Sequence, residues 1–387
     1  MNHRFMLTLP ASTPLRIAAI DAFVFRAPIA RPVQTSFGTM VDRPALLVRV
    51  RDADGACGWG EVWCNFPSMG AEHRARVIDA YAAPVLLEQA WSHPAEAYEA
   101  LTRRLRVLAI QSGEPGTIAQ AIAGLDVALW DLAARRLGVP LWRLLRGSPR
   151  VQVYASGLNP TDPGELAAAK HAEGYRAFKL KVGFGAARDL ANLRALREAF
   201  GPDATLMVDA NQAWTLAEAL AMSERLAESR PIWLEEPIPA DHGMDDWRSL
   251  AAASPVPLAG GENLRGDAEF DAAIRAGALR VIQPDLGKWG GFSGCLPVAQ
   301  RAMAQGRMFC PHWLGGGVGQ VASLQLKAIA GGAGYAEVDS NPNPLRELFA
   351  GDCLRPVDGI ITLPDAPGLG IEPDLAASRD YAVDHRS

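Results

Sequence analysis

Cysteine is scarce and scattered in this chain of 387 residues. Cys57, Cys64, Cys295, Cys310 and Cys353 are an odd number, and no two stand in the C-x-x-C spacing of a zinc site or redox pair. They read as reduced structural thiols. No long Lys/Arg block occurs, and 38 basic residues against 43 acidic ones leave a formal net charge of −5. Nucleic acid and an anionic membrane surface therefore have no electrostatic support as partners. No apolar run reaches the roughly 18 residues of a membrane span. The first twenty residues also lack the apolar stretch and cleavage site of a secretory leader, so a cytoplasmic protein is expected. No G-x-G-x-x-G follows a strand signal, which argues against a dinucleotide fold. What remains is an ordinary globular composition, 49% hydrophobic and 21% charged. At roughly 100–200 residues per domain the length suggests about two domains.

The first third of the chain differs in pattern from the rest. From Leu15 to Val62, alternating segments such as IAAIDAFVF and ALLVRVRDADGACGWGEV, broken at Arg31-Pro32 and Asp54-Gly55, predict antiparallel strands joined by turns. From about Ala71 to Leu145 the periodicity becomes helical. The last of three candidates is TIAQAIAGLDVALWDLAARRLG, stopped by Gly138-Val139-Pro140. Residues 1–145 thus read as an α+β domain, although its third helix could instead pack on the second part of the chain.

Over residues 146–340 short apolar strands alternate with longer amphipathic helices. The strand candidates are VQVYAS, AFKLKV, TLMVDA, PIWLEEP, PLAGGE, RVIQPD, MFCPH and YAEVD. Polar residues near their ends, Lys181, Asp209, Glu235, Glu262, Asp285, His312 and Glu337, succeed one another at intervals of 23 to 28 residues. Such a period marks βα units and a parallel sheet. Eight strands are the count of a TIM-type (β/α)8 barrel, preferred here to an open doubly wound sheet. The tail, residues 341–387, is rich in Pro, Gly and Asp with one strand-like run, GIITL. It is expected to return to the first domain or cap the barrel, with residues 378–387 frayed.

Ionisable residues at the C-terminal ends of barrel strands converge on an active site. A single carboxylate there could equally cap the next helix, but seven residues in register point to a site. Asp209, Glu235 and Glu262 end neighbouring strands, and three carboxylates share a pocket in ionised form only if a cation offsets them. An all-oxygen set favours a hard ion such as Mg²⁺. Strand alternation leaves open whether Glu235 or Glu236 points inward. Lys179 and Lys181, two apart, share one face of the second strand. Beside a cation, and desolvated, such lysines are expected to serve as bases near neutral pH. Asp285 and His312 end adjacent strands, so the carboxylate can fix the imidazole tautomer and leave its other nitrogen as a base. The remaining histidines, His3, His73, His93, His171, His242 and His385, read as structural. Lys181 and His312 would face each other across the ring. Two opposed bases and a divalent ion suit removal of a proton next to a carboxylate, with the ion stabilising the enediolate.

The ordered set FKLKVG, MVDANQAW, WLEEP, GGENL, QPDLGKWGG and PHW closely resembles the mandelate racemase branch of the mandelate racemase/muconate lactonizing enzyme family, in the enolase superfamily. The resemblance spans essentially the whole chain, including GWGE at Gly58–Glu61. It implies an α/β fold, a modified TIM barrel (β/α)7β under an α+β capping domain, with Mg²⁺ on Asp209, on the first glutamate of Glu-Glu-Pro, Glu235, and on Glu262. It makes Lys181 one base and His312, paired with Asp285, the other. Lys179 would hold the substrate carboxylate or lower the pKa of Lys181. Glu337 would match an acidic residue that donates a hydrogen bond to that carboxylate, or be structural. Glu262 and the His-Asp pair set the chain apart from the muconate-lactonizing branch. The implied partner is a small carboxylate, and family members commonly assemble as dimers or octamers. Two loops, Gln34–Gly38 and Trp63–Phe66, would complete the pocket, with Thr35, Ser36, Asn65, Asn211 and Trp313 as candidate substrate contacts. Within this branch dehydration of an acid sugar to a 2-keto-3-deoxy acid is the expected reaction. A racemase or epimerase of an α-hydroxy acid is the alternative, and a non-catalytic binding protein on the same barrel a further one.

Overall fold

A computed structural model of the chain describes Leu9, residues 14–35 and residues 38–385. The alternating N-terminal segments form β1 (Leu15–Thr35), β2 (Gly38–Asp52) and β3 (Cys57–Val62), an antiparallel meander, with the short β4 (Ala90–Trp91) paired to the start of β1. Next come helices α1 (Gly70–Val77), α2 (Ala83–Leu87), α3 (Pro94–Ser112), α4 (Pro115–Arg136) and α5 (Leu141–Leu144). The His93 ring accepts from the Ala95 amide at 3.1 Å and caps α3, a structural use of that histidine. By length and composition α4 could cross a membrane, yet 89% of its most apolar window is buried inside the fold. One side of it packs on β3, and Trp130 on its other side donates from Nε1 to Ser293 Oγ of the barrel at 2.9 Å. Helix α4, the last of the three expected from sequence, therefore does both things its sequence allowed.

All eight expected strands of the second region are present, as β5 (Arg150–Leu158), β6 (Ala177–Lys181), β7 (Thr205–Asp209), β8 (Leu234–Glu235), β9 (Leu258–Gly260), β10 (Val281–Ile282), β11 (Met308–Phe309) and β12 (Ala336–Asp339). Between them lie α6 (Pro163–Ala172), α7 (Ala186–Phe200), α8 (Leu216–Leu226), α9 (Met244–Ala253), α10 (Gly266–Ala276), α11 (Gly291–Ala304) and α12 (Gly317–Ala330). The strands are parallel in the order β11-β10-β9-β8-β7-β6-β5-β12. At the remaining seam the Glu337 amide donates to the Pro311 carbonyl at 3.4 Å. Eight strands and seven intervening helices make a (β/α)7β barrel, the modified TIM architecture expected. Its register places the site: Lys181 lies opposite Asp209, and Asp209 opposite Glu235.

After α13 (Pro344–Ala350), β13 (Ile360–Thr362) pairs antiparallel with the start of β5, and β14 (Ala382–Val383) pairs with β1. The tail thus touches both parts of the molecule. The expected fraying of residues 378–387 is corrected as far as residue 385 by the pairing of Val383 with Val24 and by the buried His385, whose ring lies 3.2 Å from Asp79; residues 386–387 lie outside the described residues. All five cysteines are unpaired.

Candidate active site

The strand ends carry their side chains into one buried cluster. Lys179 is 0% exposed, and its ammonium meets Glu235 Oε1 at 2.7 Å, Glu337 Oε1 at 2.9 Å and the Tyr154 hydroxyl at 3.3 Å. Lys181, two residues nearer the mouth and 16% exposed, donates to Asp209 Oδ2 and Asn211 Oδ1, both at 2.6 Å. Burial disfavours both charges, but the acids outweigh it: Glu235 and Glu337 hold Lys179 well above the ordinary lysine pKa, and Asp209 raises Lys181. Both lysines are thus held as ammonium by their carboxylate partners in this arrangement, whereas the expectation of usable bases concerned lysines beside a bound cation. Lys179 is also closed off from any substrate carboxylate; its like charge does oppose that of Lys181, as expected, but is outweighed.

On the other side, His312 Nδ1 lies 2.6 Å from Asp285 Oδ2, and its Nε2 is in close contact with Glu262 Oε2. Asp285 also accepts from the Gly287 and Lys288 amides at 2.8 and 3.0 Å, which fixes its carboxylate. Despite burial, Glu262 and Glu337 hold the imidazole pKa well above its ordinary value. Glu262 is correspondingly held well below the usual carboxylate range by His312 and Lys288, with Lys181 also contributing. Glu262 thus feels both bases at once.

Both glutamates of Glu-Glu-Pro are buried, on different partners. Glu235 faces the barrel interior, taking hydrogen bonds from Gln283 Nε2 at 2.6 Å and Trp233 Nε1 at 3.2 Å, and burial raises its pKa to about 7. Glu236 turns to Asn263 Nδ2 at 2.9 Å. The turn needs left-handed backbone at a non-glycine residue, φ +37° at Glu236, and Asn211 and Gln212 beyond β7 share this feature at +44° and +65°. Such conformations cost about 1–3 kcal/mol each and gather at functional sites.

Among the described residues no three Asp, Glu, His or Cys side chains stand in ready coordinating geometry, since each carboxylate is closed on an ammonium, imidazole or amide. The donor set nevertheless fits a hard divalent ion. Asp209, Glu235, Glu236, Glu262, Asp285 and Glu337 share the space with Lys179, Lys181, Lys288 and His312, so six acids face four cations even with His312 protonated. A divalent ion on Asp209, Glu235 and Glu262 would offset that excess with oxygen ligands of its preferred kind.

The other candidates fall in different places. Glu337 accepts from Ser156 Oγ, Lys179 and the Trp313 amide, and Lys179 with His312 lowers its pKa against the effect of burial. Trp313 is 1% exposed, its indole donating to the Gly316 carbonyl at 3.1 Å, so it supports its own loop and does not line a pocket. Asn65 is buried and spends its amide on the Leu314 carbonyl at 2.6 Å. Asn211 lies within the cluster, on Lys181 and Asp209. Thr35 pairs through its backbone with Gly38, and Ser36 lies outside the described residues. Sequence reasoning missed Asn263 and Lys288, which stand inside the runs GGENL and QPDLGKWGG, one residue after Glu262 and three after Asp285.

Residues 19–146 match the family model for the mandelate racemase / muconate lactonizing enzyme N-terminal domain, and residues 164–377 match the model for an enolase C-terminal domain-like unit. A solved structure of a mandelate racemase/muconate lactonizing enzyme from Bordetella bronchiseptica RB50 is 53% identical, with TM-score 0.90 over 95% of this chain and all of that one. A racemase from Streptomyces coelicolor A3(2), solved with bound magnesium, is 31% identical with TM-score 0.86 over 95% of this chain and all of that one. The D-galactarolactone cycloisomerase of Agrobacterium fabrum is 34% identical over 95% of this chain and 99% of its own length. Further relatives bear the names of dehydratases, an N-succinylamino acid racemase and o-succinylbenzoate synthases.

Proposed function

From the premise that this chain belongs to the mandelate racemase/muconate lactonizing enzyme family of the enolase superfamily, we propose that it is an enzyme that removes the proton next to the carboxylate of an acid sugar, using Lys181 and His312 as opposed bases, and expels the β-hydroxyl to give a 2-keto-3-deoxy acid. The observation that carries the reading is the pairing of both bases with one carboxylate set: Lys181 on Asp209, His312 on Glu262, and Glu262 in the field of both. Asp209, Glu235 and Glu262 would hold Mg²⁺. When bound, that ion supplies electrophilic stabilisation of the charge developing on the substrate carboxylate.

The chain's own residues do the rest. Asp285 holds His312 Nδ1, so Nε2 is the nitrogen that exchanges protons with substrate. Each base becomes competent once its present carboxylate partner is otherwise engaged, because that partner is what keeps it protonated. One base takes the α-proton. For dehydration His312, as imidazolium, hands a proton to the departing oxygen. Glu337 and Tyr154 orient Lys179 at the floor, and Lys179 in turn holds Glu235. In this reading residues 1–145 cap the barrel of residues 146–340, and residues 341–387 tie the two together.

A second reading, cycloisomerisation, is favoured by the name of the Agrobacterium relative. If the β oxygen closes a ring, the same elimination opens the ring without releasing water. Proton NMR of acid sugars, their lactones and α-hydroxy acids in D2O with Mg²⁺ tests these readings. Loss of the α-proton signal with a new 3-deoxy methylene supports elimination, from an open-chain acid for dehydration or from a lactone for cycloisomerisation. Exchange without a methylene would replace both with racemisation or epimerisation. No exchange on any compound, with Lys181→Ala and His312→Asn indistinguishable from wild type, would overturn the opposed-base reading.

A further inference from the structure

Lys288 is the third lysine of the site and takes no part in the proposed proton transfers. It lies beyond β10, and its Nζ is 3.1 Å from Asn263 Oδ1 and 3.4 Å from Glu262 Oε2. Lys179 and Lys181 have carboxylate oxygens at 2.7 and 2.6 Å, so Lys288 is the least tightly paired of the three. An ammonium has three donors; Asn263 Oδ1 takes one at 3.1 Å and Glu262 Oε2 stands farther off at 3.4 Å, which leaves a third without an acceptor among the described residues. Its side chain is 12% exposed, whereas Lys179 is sealed.

Lys288 sits 4.8 Å from the ring of Trp63, a residue of the loop after β3 in the N-terminal unit. The contact joins that unit to the barrel mouth. Trp63 carries a second observation: its indole Nε1 is buried and has no hydrogen-bond partner among the described residues. Buried donors ordinarily have acceptors. One contact pair therefore holds two donors short of them, one of which is charged. A neutral hydroxyl would answer the indole but leave the ammonium with Asn263 and a Glu262 already committed to His312. A carboxylate supplies both acceptors and charge.

We infer that Lys288 and Trp63 form the subsite for the far end of the substrate, and that the substrate is a dicarboxylic acid sugar whose second carboxylate binds there. The inference rests on the proposed chemistry of the reacting end. Lys288 is thus a specificity-determining residue, distinct from the bases.

The test uses 2-hydroxyadipate and 2-hydroxyhexanoate. They share the reacting end, lack a β-hydroxyl to expel, and differ in a carboxylate against a methyl at the far end. Calorimetric titration of the Mg²⁺-loaded wild type is expected to show 2-hydroxyadipate binding at least about tenfold tighter. Lys288→Met should bring the two affinities within about threefold of each other, whatever it does to both through Glu262, and Lys288→Arg should keep the preference. Trp63→Phe, which removes the indole N–H and keeps a ring, should reduce it. Equal affinities in the wild type, no binding of either compound, or a Lys288→Met variant that weakens both alike would overturn the subsite. Proton exchange in D2O on the same two compounds reports separately on the reaction. Absent exchange with an intact binding preference would sink the opposed-base reading and leave the subsite standing.

Discussion

Lys179 and Lys181 share a strand, a face and a charge, yet two residues of separation give them different work. Lys179 sits under three acids and neutralises buried charge, and Lys181 reaches the mouth. Lys179→Met leaves Glu235 and Glu337 buried without their cation, and the expected loss is about 3–5 kcal/mol of folding stability, read by urea denaturation. Lys181→Ala removes a partly accessible group whose partner Asp209 keeps Asn211 and Lys179 nearby. It is expected to unfold near the wild-type urea midpoint while losing about 10²–10⁴-fold of α-proton exchange. A Lys181→Ala protein that exchanged at the wild-type rate would remove this residue from the reaction. The strand-end pattern made Asp209, Glu235, Glu262, Asp285 and His312 legible because a barrel delivers whatever terminates its strands to one place. Lys288 and Asn263 were not legible, since they follow the polar residue that marks each βα unit, Asp285 by three residues and Glu262 by one, and the period of about 25 residues picks out one position per unit.

Helix α4 and strand β3 show how one element is built to receive another. Gly58 and Gly60 alternate on the face of β3 that meets α4, and Gly124 of α4 answers them; a Cβ at Gly60 would run into the Gly124 carbonyl oxygen and lie 2.9 Å from the Ala128 amide. Both obstacles are backbone, which cannot turn aside as a side chain can. Gly60→Ala is therefore expected to cost about 1–3 kcal/mol by overpacking, measurable as a lower urea midpoint with an unchanged slope. A wild-type midpoint would mean that α4 can slide on the sheet. The fold was legible at this scale because period-two and helical stretches alternate so regularly. Strand lengths were not: PIWLEEP, RVIQPD and MFCPH hold only two ladder residues each in β8, β10 and β11. Pro237, Pro284 and Pro311 come within two residues of those pairs, and proline has no N–H to extend a ladder. The chain leaves the sheet there, and Asp285 and His312, the proposed catalytic pair, ride on the departing backbone.

At the scale of the whole molecule, the N-terminal unit is fastened to the barrel by buried carboxylates. Glu61 of β3 accepts from the Gly316 and Gly319 amides, at 2.5 and 2.9 Å, at the start of α12 in the loop beyond His312. Asp126 of α4 accepts from Ser293 N at 3.0 Å at the start of α11, and Asp131 takes the Leu369 amide of the C-terminal segment at 2.6 Å. Helix N-termini favour such anions, but burial prevails over those hydrogen bonds, and the pKa of Glu61 is pushed up to about 7, with Asp285 adding to the rise. A carboxyl near 4.5 in the unfolded chain and near 7 in the fold holds its proton more tightly when folded. Its contribution to stability is therefore full below the unfolded value and is lost as pH rises through 7. Asp126, raised to about 7, and Asp131, raised to about 6, act in the same direction. Glu61→Gln separates one fastening from the rest, because glutamine imitates the protonated acid at every pH. Its melting temperature is expected to match or fall below that of the wild type at pH 5 and to gain on it by pH 8. Melting curves that stay parallel for the two proteins across that window would mean that Glu61 keeps one charge state throughout, and that the unit over the barrel is held the same way at both ends of it.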